Sequence, residues 1–319
     1  MSNPENTLEP ELKRAVYLTG ATASGKTAVG VLLAQRLGAE VIALDSMTLY
    51  RGMDIGTAKP TIAEQAGVAH HLIDVLDPWE QGSVADYRSW AVAAAKEIEA
   101  RGQRVLFVGG TALYLKALIR GLFEGPAADP AIRAELEAQV AKLGETAIHE
   151  ELTRIDPPTA ARLHPNDVRR VIRALEVHRL TGKPLSDWQT EHQKHAQGLA
   201  IYALMRDRTE LHARINQRVE QMFEAGFREE LQRLASAERP LHPVPAQAVG
   251  YYEGFALLAG ELDQATAVAL IQARTRQFAK RQETWFRNLA EVQLWPVSPS
   301  ETAEQIADRL SEQIQAAHF

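Results

Sequence analysis

RAVYLTGATASGKTAVGVLLAQRLG, residues 14–38, is the stretch whose reading decides the fold. The apolar run RAVYLTG (14–20) ends in glycine, as a buried parallel strand would. GATASGKT (20–27) then fits the pattern GxxxxGK[ST], and TAVGVLLAQRL runs with helical character to Gly38, a plausible helix stop. Strand, glycine-rich loop and helix in that order make a phosphate-holding unit. The glycines let backbone N–H groups converge on phosphate oxygens, and the helix N-terminus adds a favourable dipole. Gly20, Ala21, Thr22, Ala23, Ser24 and Gly25 form the loop, Lys26 supplies a point charge, and Thr27 stands where Mg²⁺ would be ligated. The loop alone leaves open whether those phosphates are an energy source, a group to transfer or a leaving group.

Further apolar runs follow: AEVIALDS (39–46), HHLIDVLDP (70–78) and QRVLFVGGT (103–111). A helix pattern from Ser83 or Asp86 to Ala100 is ended by Arg101-Gly102, and ALYLKALIRGL follows Thr111 at once. This alternation predicts a parallel sheet with right-handed crossovers. After GPAADP (125–130) the character changes, and residues 130–195 read as helices without a convincing strand. One of these helices, VRRVIRALEVHRLT, is bracketed by Asn166 or Asp167 as N-cap and by Gly182 and Pro184. GLAIYALM (198–205) reads as a strand returning to the sheet, and EVQLWPV is a last short apolar run. The predicted fold is α/β: a P-loop NTPase-like parallel-sheet core, 1–125 with 200–319, interrupted by a helical insertion, 126–199.

Composition narrows the function classes. The 319 residues are 45% hydrophobic, ample for a core, with no run of apolar residues long enough to span a membrane. MSNPENTLEPELKR at the N-terminus is polar and acidic and reads as a short frayed tail on a cytoplasmic protein. The chain has no cysteine, which excludes disulfides, thiolate zinc sites and cysteine nucleophiles. Its ten histidines show no metal-ligand spacing and read as surface or capping residues. A net charge of −6 argues against a nucleic-acid partner on average, yet it masks two basic segments. RTRQFAKRQETWFR (274–287) carries Arg274, Arg276, Lys280, Arg281 and Arg287 against Glu283, and VRRVIR carries Arg169, Arg170 and Arg173.

In an open parallel sheet, ligands bind beyond the carboxyl ends of the strands. The second run ends in Asp45-Ser46 and the later one in Gly109-Gly110-Thr111, so both project toward the crevice of Lys26. Each has an alternative reading as a helix cap; their convergence favours a site. NTP-hydrolysing sheets usually end a strand in an acid that supports Mg²⁺ and water, whereas VLFVGGT ends in glycines. A lone carboxylate, Asp45, beside a phosphate cradle suits proton removal from a nucleophile better than energy coupling.

At this point the residues match a known family. LDSMTLYRGMDIGTAKP (44–60), between GATASGKT and VGGTALYLKAL, closely resembles the bacterial tRNA dimethylallyltransferases (tRNA isopentenyltransferases). HPNDVRRVIRALEV (164–177), VGYYEG (249–254) and KRQETWFR (280–287) resemble that family's later motifs, so the similarity runs from about residue 14 to 295. The resemblance implies that the loop holds the diphosphate of dimethylallyl diphosphate and that no ATP is consumed. The prenyl group would pass to the exocyclic N6 amine of the adenosine just 3′ of the anticodon. Asp45 then resembles the general base and Thr111 the hydroxyl near the bridging oxygen. Residues 20–27 and Arg214 would grip diphosphate, with Thr27 on Mg²⁺. The tRNA contacts implied are Asp45, Ser46, Met47, Thr48, Thr111, Arg133, Arg169, Arg170, Arg173, Gln247, Gly250, Tyr251, Lys280, Arg281, Gln282, Trp285 and Arg287. On a helix, Arg274, Phe278, Arg281 and Trp285 share one stripe, whose aromatics are expected in the core. Arg276, Lys280 and Arg287 share the opposite one, expected to meet phosphates.

Departures are few. Ala21 stands where the family commonly has Pro, Gln247 and Tyr252 stand where some relatives carry arginine, and the cysteine-bearing zinc finger of eukaryotic relatives is missing. Rival readings are an adenylate (free-nucleotide) isopentenyltransferase, a small-molecule P-loop kinase using Asp45 on a hydroxyl, and an RNA-binding protein with a vestigial loop. The helical insertion and the distal basic helix argue against the first. Nothing in the sequence demands an oligomer, and a monomer is expected.

Overall fold

The computed structural model describes residues 8–121, 125–126, 128–190 and 198–317. Residues 1–7 of the expected tail and 191–197 of the expected insertion lie outside the described residues. The strands are β1 (Val16–Gly20), β2 (Ala39–Ala43), β3 (His70–His71), β4 (Arg104–Gly109), β5 (Ala200–Met205) and β6 (Gln293–Pro296). They form one sheet in the order β3-β2-β4-β1-β5-β6, with every neighbouring pair parallel. β1 lies between β4 and β5 and is buried along its whole length, which is why it reads as an unbroken apolar run.

Alternate residues feed two cores. Tyr17, Ile42, Val105 and Phe107 pack on one face with Tyr87, Ala91 and Ile98 of the helix Val84–Ala100 and with Leu115 and Leu118. Val16, Leu18, Val41 and Leu106 pack on the other with Val29 and Leu33 of the helix Lys26–Leu37 and Ile306 and Leu310 of the helix Ala303–Ala317. Local signals set the boundaries. Ser83 and Asp86 form a reciprocal capping box at the start of Val84–Ala100, and Gly38 ends Lys26–Leu37 with φ +61°.

Two expectations about elements are corrected. From residue 8 onward the N-terminal segment is not frayed: Pro10–Arg14 is a helix, Leu12 is fully buried, and the Tyr17 hydroxyl donates to the Leu12 carbonyl at 2.8 Å. Leu12 enters the core and Leu8 packs against it, the two apolar side chains the core draws from this polar run. HHLIDVLDP supplies only a two-residue strand. Leu72 and Asp74 turn the chain out of the sheet with φ of +58° and +56°, and Leu76 then bridges Tyr50 instead.

The chain divides into two compact units, Met1–Ile119 with Ala196–Phe319, and Arg120–His195. The second is helical among the described residues and has its own core of Leu136, Ile148, Leu152, Val171, Ile172 and Leu175. Its helix Val168–Thr181 ends at Gly182 as expected, while Asp167 occupies the N-cap position but gives its carboxylate to Arg170. No helix among the described residues is long and apolar enough to cross a membrane.

Candidate active site

The loop between β1 and its helix is held in shape from outside. Gly20, Ala23 and Gly25 have φ of +147°, +62° and +92°. A left-handed alanine is unfavourable by itself, so surrounding bonds must maintain it. The Arg206 Nε donates to the Ser24 carbonyl at 2.7 Å and the Arg214 Nε to the Ala23 carbonyl at 2.8 Å. Gln282 accepts from the Thr22 N–H and donates to the Gly110 carbonyl, both at 2.8 Å. The Lys26 ammonium donates to the Ala21 carbonyl at 3.2 Å. The Ser24 hydroxyl is buried inside the loop and has no hydrogen-bond partner among the described residues.

Beyond the sheet edge, the β2–β4 ladder continues past its strands. The Leu44 N–H donates to the Val108 carbonyl at 2.8 Å, the Thr111 N–H to the Leu44 carbonyl at 3.1 Å, and the Ser46 N–H to the Thr111 hydroxyl at 3.1 Å. These bonds set Asp45 beside Thr111. One carboxylate oxygen of Asp45 accepts the Met47 N–H at 2.9 Å; the other carries no hydrogen bond among the described residues. Close approach also explains the glycine pair that ends VLFVGGT. A Cβ at Gly109 would lie 2.1 Å from the Leu44 carbonyl oxygen, and one at Gly110 would lie 2.5 Å from the Gln282 amide. The strand end has no room for an acid there.

Lys26, Thr27, Asp45, Ser46, Thr111 and Arg218 all line one cavity of about 420 Å³. Burial pushes the Lys26 ammonium down to about 8; Asp45 opposes that shift and Arg218 adds to it. Arg218 donates weakly to the Thr22 hydroxyl at 3.3 Å and the Thr57 carbonyl at 3.4 Å. Burial lowers its guanidinium from the ordinary value and Asp45 opposes. Sequence reasoning missed Arg218 although its four-residue spacing from Arg214 puts both on the same face of the helix Arg208–Glu224. The rest of the lining includes an apolar set: Val219, Met222, Val249, Ile271 and Phe278.

The segment 50–60 is fixed by two buried charges that no local pattern reveals. Glu230, fully buried, accepts the N–H groups of Asp54, Ile55 and Gly56 at 2.9, 2.7 and 3.1 Å, and the Tyr251 hydroxyl at 2.6 Å. The Lys59 ammonium donates to the Tyr50 carbonyl at 2.8 Å and to Asp54 and Asp74 at 2.5 Å each.

The residues that the resemblance assigns to RNA are placed unevenly. Met47, Thr48, Gln247 and Arg281 line the cavity, and Lys280 and Arg287 are exposed on the helix Gln264–Arg287. Tyr251 and Gln282 also border the cavity; the Tyr251 side chain is wholly buried and its hydroxyl donates to Glu230. Gln282 is likewise buried, with its amide spent on Thr22 and Gly110, and Gly250 is a buried N-cap with φ +96°. The expected stripes of that helix are corrected in part. Its core side is Ala267, Ile271, Ala279, Gln282 and Phe286; Trp285 is half-buried and packs against that core as expected, whereas Phe278 is 37% exposed. Small residues, not Phe278, sit where the helix packs closest. Arg276 is held by Asn216 at 2.5 Å and Arg274 by Glu253 at 2.6 Å. In the second unit Arg133 and Arg173 both bond the fully buried Glu176, at 3.0 and 2.6 Å, Arg170 pairs with Asp167, and Arg169 is exposed. Burial would raise the Glu176 carboxyl, but the Arg173 bond, the Asp129 N–H and Arg133 outweigh it and hold it below the usual carboxylate range. Among the histidines, His242 caps a short helix, and His71 bonds Glu40 at 2.6 Å. No cluster of three or more histidine or acidic residues suited to a metal occurs among the described residues.

Comparison with known proteins identifies the family. The sequence profile described as IPP transferase matches residues 48–289. The chain belongs to the IPP transferase family. Two tRNA dimethylallyltransferases show how close this family similarity is. That of Geobacter metallireducens is 45% identical over 293 residues, 91% of this chain and 94% of its own. That of Bordetella pertussis is 49% identical over 279 residues, 85% and 89%. Among solved structures, a tRNA isopentenylpyrophosphate transferase from Bacillus halodurans is similar with a TM-score of 0.68 and 41% identity, covering 96% of this chain and 98% of its own. A eukaryotic dimethylallyltransferase acting on tRNA is similar with a TM-score of 0.76 at 26% identity, covering 93% and 77%.

Proposed function

We propose that this IPP transferase moves a dimethylallyl group from dimethylallyl diphosphate to the N6 amine of the adenosine 3′-adjacent to the anticodon in tRNA, releasing diphosphate. The observation that carries the reading is one cavity that holds Asp45, Thr111, Lys26 and Arg218 together. The allylic C1–O bond breaks with its electron pair going to the bridging oxygen, and Lys26, Arg218 and loop amides stabilise that charge. The C1–N6 bond forms, and the amine's proton goes to the open carboxylate oxygen of Asp45. Thr111 accepts the Ser46 N–H, which leaves its own hydroxyl proton to donate to an oxygen of the leaving group or the ribose. The adenine amine is a weak nucleophile because its lone pair is delocalised, so a base in contact with it matters. An anticodon loop offers a base that leaves its stack at little cost.

Mg²⁺ fits the donor set. The only protein oxygen proposed for it is the Thr27 hydroxyl, and a cation of this kind commonly keeps waters and takes most of its ligands from substrate phosphates. It would neutralise charge on the departing diphosphate. In the same loop the buried Ser24 hydroxyl has no hydrogen-bond partner among the described residues and is left to bond a ligand oxygen. The enzyme would act as a cytoplasmic monomer, with tRNA also meeting the exposed Lys280 and Arg287 and the arginines of the helical unit.

The test offers radiolabelled dimethylallyl diphosphate with tRNA, AMP and ATP as separate acceptors, using the wild type and Asp45→Asn. Label should enter tRNA alone, and the variant should lose about 10²–10⁴-fold in turnover while binding tRNA within a few-fold of wild type. Label entering AMP or ATP, or a variant turning over normally, would overturn the reading.

A further inference from the structure

Resting on that reading, we infer that Lys59, which lines no part of the cavity, is a positioning residue for the acceptor base. All three ammonium protons are committed, and each goes to a different stretch of chain: Tyr50, Asp54 and Asp74. The lysine side chain is 6% exposed, so the ammonium is shielded from water, while Asp54 and Asp74 remain 55% and 45% exposed.

Each stretch tied by Lys59 ends in cavity wall. Tyr50 closes the turn that begins at Asp45 and contains Met47 and Thr48. Within it the Thr48 hydroxyl donates to the Asp45 carbonyl at 3.4 Å and the Tyr50 N–H to the Met47 carbonyl at 3.2 Å. Asp54 opens the segment whose Thr57 and Ala58 line the cavity. Asp74 is one of two left-handed residues flanking Ile73, which also lines it. A non-glycine residue in that conformation persists only where its surroundings dictate it. For Asp74 the surroundings are its N–H on the Thr48 carbonyl at 3.1 Å and its carboxylate on Lys59. Releasing the ammonium leaves Asp54 and Asp74 as neighbouring like charges and frees the strained turn.

The diphosphate cradle has separate supports. Arg206, Arg214 and Gln282 hold the loop, and none of them bonds Lys59 or its partners. Lys59 therefore governs the wall that carries Met47, Thr48 and Ile73, and reaches the leaving-group site only through the long Arg218 contact with the Thr57 carbonyl at 3.4 Å. A misplacement of about 1 Å in such a wall is enough for a loss of about 10²-fold.

The experiment uses the full chain and compares wild type, Lys59→Met and Asp74→Asn. It measures kcat and KM for tRNA, and separately the affinity for inorganic diphosphate with Mg²⁺ by calorimetry. Lys59→Met is expected to lose about 10- to 100-fold in kcat/KM for tRNA with diphosphate affinity changed less than about twofold. Asp74→Asn, whose side chain is 45% exposed, keeps the fold and should show the same split at about 3- to 10-fold. If Lys59→Met does not fold, Asp74→Asn decides alone. Wild-type kcat/KM in both variants, or diphosphate affinity falling in parallel with turnover, overturns the inference. A wild type that fails to prenylate tRNA refutes the proposed function instead, so the two failures are told apart.

Discussion

Raising the pH from about 7 to about 9.5 should weaken binding of inorganic diphosphate roughly 30-fold through Lys26 alone. The perturbation works because burial has already brought the Lys26 ammonium down from 10.5 to about 8, Asp45 offsetting part of the shift and Arg218 adding to it. With that value about nine-tenths of the free protein carries the charge at pH 7 and only about 3% at pH 9.5. The lysine's proton-bound form is the one that attracts the anion. Its contribution is therefore present below pH 8 and lost as pH rises through 8, the opposite order to a depressed carboxylate. Calorimetric titration of diphosphate with Mg²⁺ across this range measures the effect. Lys26→Arg supplies the reference, since a guanidinium stays charged throughout and the ligand's own titration is common to both proteins. The wild-type curve should steepen away from the arginine curve above pH 8. Parallel curves would refute the placement of Lys26 against the anion.

Two more expectations follow from the packing. Gly56→Ala would set a Cβ 2.5 Å from the rings of Phe227 and Tyr251, both fully buried, and should lower stability by about 1–3 kcal/mol in a thermal melt. An unchanged melting temperature would mean that the segment shifts freely. Lys280→Glu with Arg287→Glu should weaken tRNA binding and flatten its dependence on salt, since fewer counterions are released; the slope of log affinity against log salt reads this directly.

Much of the fold was legible because parallel strands buried on both faces announce themselves as apolar runs, and β1, β2, β4 and β5 lie within them. β3 was overdrawn because apolar character in LIDVL serves a turn and a cavity wall as well as a strand. Asp45, Thr111 and Lys26 were legible because the rule that ligands gather at strand ends needs only the order of elements. Arg206, Lys59 and Glu230 were not. Arg206 and Glu230 act across long sequence separations on backbone atoms, as in the Glu230 contact with Asp54, and Lys59 lies in a loop where nothing local tells a buried ammonium from a solvated one. Phe278 was misjudged for a related reason: its size suggested the core, but Ala279 and Gln282 take the closest approach.

The carboxylate of Glu176 has one more consequence. With two guanidiniums sharing a single buried anion, the Arg133–Arg173 cluster presents about one unit of net positive charge, not two, in side chains whose torsions are already committed. An RNA strand arriving there would find a rigid half-neutralised fork. Such a surface would lose little freedom on contact and would attract a phosphate less strongly than two unpaired guanidiniums.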